Sequence, residues 1–198
     1  MKKLILCTIL LFLAFGAVSC SKDKISITPE EITVNTLIAR TNGNLQVATV
    51  EEFDKNYYKI EELKSFIEKE IDAYNKKTGE EKITVDTIEA HDGKAVMVLS
   101  YNGMEPYSTF NEVPAAYFNG GLKEVSLDLP TTLINASNES LASTKEIIQN
   151  EKYKILVLYE PYDIIVEGKV KYYSENAEIL EENKVKGAAE GLTVVVYK

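Results

Sequence analysis

Few side chains in this 198-residue chain could do chemistry, and their spacing limits what they could do. His91 is the only histidine, so a His-based metal cluster or a His-paired nucleophile elsewhere cannot be assembled. Asp92 and Gly93 follow it, a context in which residue types are selected for backbone tolerance at a turn. A general-base role for His91 therefore competes with a plain turn role, and the turn is the expectation. Two carboxylate pairs, Glu51-Glu52 and Glu181-Glu182, are of the type used in acid–base glycan cleavage. Adjacent strand residues point to opposite faces, so solvated charge is expected at both pairs. An oxygen-ligand calcium site needs a spaced acidic loop turned by glycine. A Walker-type phosphate site needs a Gly-rich loop with its Lys. Neither pattern occurs, and no motif implies a cofactor.

The remaining reactive residues are Cys7 and Cys20. Met1-Lys2-Lys3 is a short positive segment, Leu4 to Phe15 is almost unbroken apolar sequence, and small residues then lead to Cys20. That is the layout of an export signal. Counted to Val18 the apolar run is 15 residues, short of the roughly 20 that span a bilayer. Ala17-Val18-Ser19-Cys20 resembles the lipobox of bacterial lipoproteins, although its first position is Ala rather than the usual Leu. The resemblance implies cleavage before Cys20 and a thioether-linked diacylglycerol on its sulfur. An ordinary secreted protein cut nearby is the alternative. Two acyl chains suit stable anchoring, which one chain supplies only marginally.

Removal of residues 1–19 leaves 179 residues, enough for one domain with a sizeable core. It takes away two Lys and no acid, so the formal charge moves from −9 to −11. An acidic body lacks the clustered Lys and Arg that nucleic acid requires, and anionic lipid repels it. Membrane attachment is therefore expected through the acyl group on Cys20. Arg40 is the only arginine, a usage read as composition bias rather than mechanism. With Cys7 removed and Cys20 lipidated, the domain has no free thiol and no possible disulfide.

The elements that must position these groups form an expected α+β domain, a mostly antiparallel sheet with one main amphipathic helix. Residues 20–30 are expected to be the lipidated cysteine and a polar tether, with the single domain over 31–198. Residues 21–30 reach at most about 33 Å. Asn42-Gly43-Asn44, between β-branched runs, signals a hairpin linking 32–39 to 45–50. From Lys59 to Lys77, Ile60, Leu63, Phe66, Ile67, Ile71 and Tyr74 recur at steps of three and four, forming one apolar stripe. Gly79 supplies the stop.

Ile83-Thr84-Val85-Asp86-Thr87-Ile88-Glu89-Ala90 then repeats Ile32 to Ala39 at five of eight positions. A tight turn at 91–94, a returning strand over 95–101 and a short helix ending at Pro114 complete a second ββα unit. The two units, 31–79 and 82–114, read either as an internal duplication or as two converged hairpins. Beyond them a β-meander is expected over 120–198. Its parts are a strand at 124–129, a loop or short helix at 135–149, and strands at 163–166, 169–173 and 192–197. Lys154 to Tyr159 reads as a central strand buried on both faces.

Asn35-Thr36-Leu37, Gly43, Val50 to Tyr58, Glu62 to Ile67, Glu70-Ile71, Tyr74-Asn75, Tyr101, Tyr107 and Phe110-Asn111 resemble a group of uncharacterised lipoproteins from clostridial-type Gram-positive bacteria. The resemblance covers most of the mature chain and implies an envelope address without a reaction. The tyrosine pairs Tyr57-Tyr58 and Tyr172-Tyr173 could stack on glycans or a peptide, although half-buried packing is the commoner use of Tyr. The expectation is a non-catalytic binding or scaffolding lipoprotein at the extracytoplasmic face of the cell membrane. Its partners would be the membrane, through Cys20, and a protein or glycan ligand, with no nucleic acid. A carboxylate-dependent glycan or peptidoglycan enzyme, and a structural or signalling partner of another envelope protein, are the alternatives.

Overall fold

The computed structural model describes residues 25–198, so the signal segment and Cys20 lie outside the described residues. The fold is α+β with one main helix, as expected, and its strands divide into two sheets rather than one. The seven-stranded sheet A runs in the order β11 (178–181), β12 (184–186), β9 (163–166), β1 (36–39), β2 (45–52), β4 (94–101), β3 (83–91). The six-stranded sheet B runs β5 (115–119), β8 (154–158), β13 (193–197), β10 (170–173), β6 (132–135), β7 (141–143). Only β1 and β9 pair in parallel among the described strands.

The sheets face each other across a core contributed by both. Leu37, Ala39, Leu45 and Val47 of sheet A belong to the same buried cluster as Leu156, Leu158, Val195 and Tyr197 of sheet B. All five residues of β13 are buried, and so are four of the five in β8, which lies between β5 and β13. The expected doubly buried central strand is thus present at 154–158. Helix α2 (104–111) adds Met104 and Tyr107 to the core, and α3 (144–148) adds Ile147 to the outer face of sheet B.

Four expectations need correction. The C-terminal strands do not form a meander, because β9, β11 and β12 join sheet A while β10 and β13 join sheet B. Gly168 turns that corner at φ +139°, and a Cβ there would come within 2.6 Å of the Lys198 carbonyl oxygen. Residues 124–129 form no strand, and Leu129 instead packs on the outer face of sheet B. The segment over 135–149 does hold a short helix, α3, but the β6–β7 hairpin comes before it. Its turn is made by Asn135 and Asn138, whose side chains accept the Ser137 and Ser140 amides.

The fourth correction concerns residues 25–30. Ile25, Ile27 and Ile32 pack on Ile38, Ala48, Val96 and Val98, on the outer face of sheet A. Apolar side chains at alternate positions make this stretch a strap on the domain rather than a tether. The first hairpin strand correspondingly starts at Thr36, not Ile32.

Two strand–turn–strand–helix units do follow one another, β1–β2–α1 (60–78) and β3–β4–α2, and their hairpins lie side by side as β1-β2-β4-β3. Helix α1 ends on Gly79 in the left-handed conformation, as the glycine signals. Its stripe is only partly used, because Ile71 is buried while Phe66 is 59 % exposed. The helix lies beside β3, at the edge of sheet A.

Candidate functional site

Alternation along the strands of sheet A decides what its outer face carries. Leu37, Ala39, Leu45, Val47, Leu99 and Tyr101 point into the core. Their neighbours Ile38, Ala48, Val96 and Val98 therefore point outward, where the strap covers them. One step toward the 40–44 turn, the outward positions become polar. Gln46 opposes Ser100 on β4, and Ser100 opposes Thr84 on β3. Arg40, Asn44, Asn102 and Glu167 continue this polar end across the strand termini, forming an open trough of about 710 Å³.

Asp86 lies on this face, two residues after Thr84, at a β-bulge. Val85 opposes Leu99 and Thr87 opposes Val98, which leaves Asp86 as the extra residue. The extra residue resets the alternation after it, so Ile88 faces inward opposite Met97. Asp86 Oδ2 accepts hydrogen bonds from Gln46 Nε2 at 2.6 Å and Ser100 Oγ at 2.7 Å. Gln46 is itself fixed, because its Oε1 accepts the Ile27 amide of the strap at 2.9 Å. Three segments distant in sequence thus hold one carboxylate in a set orientation, with its Oδ1 free of hydrogen bonds from the described residues.

Hydrogen bonds tie the rims of the trough. Arg40 N–H donates to Asn44 O, and Gly43 N–H donates to Arg40 O, closing the β1–β2 turn. Glu167 Oε2 accepts both Thr41 N–H and Thr41 Oγ1 at 2.9 and 2.8 Å. From sheet B, Tyr117 and Tyr197 hydroxyls donate to the carbonyls of Thr41 and Arg40, each at 2.9 Å. Burial pushes the Tyr117 and Tyr197 hydroxyls above their usual range, so both remain donors. Gly43 sits at φ +89°, and a Cβ there would approach Tyr117 Cε1 to 2.9 Å. On the opposite rim, Asn75 of α1 accepts the Lys82 and Ile83 amides and donates to Ile83 O.

Charge in the trough is mixed, with Arg40 and Lys82 against Glu81, Asp86 and Glu167. Lys82 is already ion-paired with Glu80. Arg40 Nη1 is buried and has no hydrogen-bond partner among the described residues.

A second group of polar side chains gathers around the core residues Tyr101 and Tyr107. Tyr101 and Tyr107 meet edge to face at 5.4 Å, and the Tyr107 hydroxyl contacts Tyr162 and faces Glu160. Burial pushes the Tyr101 hydroxyl up to about 12. Burial also raises the Glu160 carboxyl, whose Oε2 is buried without a hydrogen-bond partner. Of these, only Tyr101 borders the trough.

The residues singled out in the sequence are not brought together. His91 ends β3 at a hairpin tip, where Asp92 and Gly93 both take positive φ, and its ring nitrogens lie 4.0 Å from Glu89 and Asp92. Glu51 and Glu52 are the last two residues of β2, and both border one depression of about 280 Å³. Strict alternation did not anticipate that shared border. Glu181 ends β11, and Glu182 pairs with Lys169 at 2.7 Å. The tyrosine pairs diverge. Tyr173 is in the core and Tyr172 packs on the outer face of sheet B. Tyr57 is 67 % exposed, in edge contact with Tyr58, which stacks on Phe53 at 5.0 Å.

Among the described residues no group of three or more His, Cys, Asp or Glu side chains is placed to hold a metal ion. No helix of the described residues is long and apolar enough to cross a membrane. No family model, curated protein or solved structure matches the chain.

Proposed function

We propose that this chain is a lipid-anchored, non-catalytic binding module of the cell envelope, held at the outer face of the cytoplasmic membrane by diacylglycerol on Cys20. Its binding surface is the polar trough of sheet A. The observation that carries this reading is Asp86, an exposed carboxylate oriented by Gln46 and Ser100 on the floor of an open trough. Side chains fixed before a ligand arrives lose little freedom on binding. The anchor is supported by the N-terminal sequence pattern and by the resemblance to clostridial-type lipoproteins.

The reading is tested by fractionating cells that express the protein or its Cys20→Ala variant in the presence of a labelled fatty acid. The native chain is expected in the membrane fraction with label, and the variant unlabelled and released. A variant that stayed membrane-bound would remove the anchor from the proposal.

A protein partner is the second reading, favoured by Phe66, which lies 59 % exposed on a helix that buries only Ile71. A photo-cross-linker at position 66 should then capture one dominant envelope protein in intact membranes. Capture of none would sink this reading.

A further inference from the structure

We infer that the trough is a saccharide site, holding a neutral, hydroxyl-rich ligand across the strands of sheet A. The inference rests on the binding-module reading and names its ligand class.

Its first support is the state of Asp86. With Oδ2 occupied by Gln46 and Ser100, the carboxylate cannot swing away, and Oδ1 is presented as a charge-assisted acceptor. Such an acceptor suits ligand hydroxyls, which arrive as donors. The second support is the rest of the lining. Asn42, Asn44 and Asn102 carry amides, and Ser26, Thr41 and Thr84 carry hydroxyls. Amides offer both donors and acceptors, and hydroxyls can serve as either, which matches a ligand whose every hydroxyl does the same.

Charge selects further. Three carboxylates against two cations, one of them already paired, disfavour a phosphate or another anion. Finally, the trough crosses five strand termini, from Glu167 after β9 to Thr84 on β3. Four inter-strand spacings make it about 19 Å long, a span for several linked rings rather than one.

Saccharide hydroxyls could come from a glycan chain or from a glycolipid headgroup, and the experiment separates these sources. The full lipid-modified chain is placed in phosphatidylglycerol vesicles or detergent micelles, and the side-chain amide signals of Asn42, Asn44, Gln46 and Asn102 are followed by NMR. Added ligands are the tetramer of N-acetylglucosamine, vesicles containing diglucosyl-diacylglycerol, and inorganic phosphate. Saturable shifts are expected at these amides with one or both saccharides and not with phosphate. A response to the tetramer assigns a glycan chain, and a response to the glycolipid alone assigns a headgroup.

Asp86→Asn should weaken binding about tenfold, the usual loss for a charge-assisted hydrogen bond. Ser100→Ala should weaken it less, and Asp92→Asn, at the far hairpin tip, not at all. The inference is overturned by shifts with phosphate alone, by shifts that Asp86→Asn and Ser100→Ala both leave unchanged, or by silence toward both saccharides. Silence from a protein that still sediments with membranes through Cys20 would remove the ligand class and leave the anchored reading in place.

Discussion

The outer face of sheet A has two ends built on the same strands, and they have opposite fates. At one end Ile38, Ala48, Val96 and Val98 are covered by the strap. At the other Arg40, Gln46, Asp86 and Ser100 are left open as the trough. Both ends obey the same alternation, so the difference lies only in which residues take the outward positions. Buried apolar area holds the first end shut, at about 25 cal/mol per Å² removed from water. The second end is held in shape by the hydrogen bonds that join Ile27, Gln46, Asp86 and Ser100. A chain can thus carry a stable surface and a receptive one a few residues apart on the same strands.

The largest expected effect comes from breaking the covered end. Ile27→Asp places a charge against buried Ile38 and Val96 and should cost about 3 kcal/mol, read as a lower midpoint in urea. An unchanged midpoint would mean the strap contributes nothing. Gln46→Ala attacks the seam between the ends, because Gln46 binds both Ile27 and Asp86. A loss of about 1–2 kcal/mol is expected, together with faster amide exchange at Ile27.

Glu160→Gln contrasts an inward carboxyl with the open one of Asp86. Burial raises the Glu160 carboxyl in the folded state. Its contribution is therefore complete below the ordinary Glu range of about 4.3 and is lost as pH rises through the folded value. The variant should gain stability relative to the native chain at pH 7, and that gain should shrink toward pH 4. A pH-independent difference would contradict the buried setting. The smallest effect is expected from Ser100→Ala, below about 1 kcal/mol, because Asp86 keeps Gln46 as donor and stays solvated. A larger loss would show that the trough is part of the stability core.

Local signals made about half of the fold legible. The 3.6-residue stripe and Gly79 place α1 within one residue of its observed ends. Turn chemistry at Asn42-Gly43-Asn44 and Asp92-Gly93 places both hairpins. The continuous apolar run places β8. What stayed hidden depends on distant partners. The split into two sheets turns on Gly168 and on the pairing of Thr36 with Asp163, and nothing near either residue announces it.

The facing of β3 beyond Asp86 is hidden for a sharper reason. Simple alternation from Ile83 would send Ile88 outward, whereas the extra residue at Asp86 returns Ile88 to the inner side opposite Met97. A bulge cannot be read from one strand alone. Arg40, which in the sequence reads as composition bias, is a trough residue with an unmatched buried donor. Its outward parity, shared with Gln46, Ser100 and Asn102, was the available signal.

The strap also has a mechanical consequence. Tension on the N-terminus falls first on Ile25, Ile27 and the Ile27–Gln46 hydrogen bond, and only then on β1, which is paired on both sides. With the strap seated, five residues separate Cys20 from Ile25 in sequence, a contour of at most about 17 Å. Peeling residues 25–35 would add about 36 Å to that reach and expose the apolar end of the sheet. Because Gln46 holds both the strap and Asp86, a pull on the chain ahead of Ile25 would loosen the trough at the same stroke.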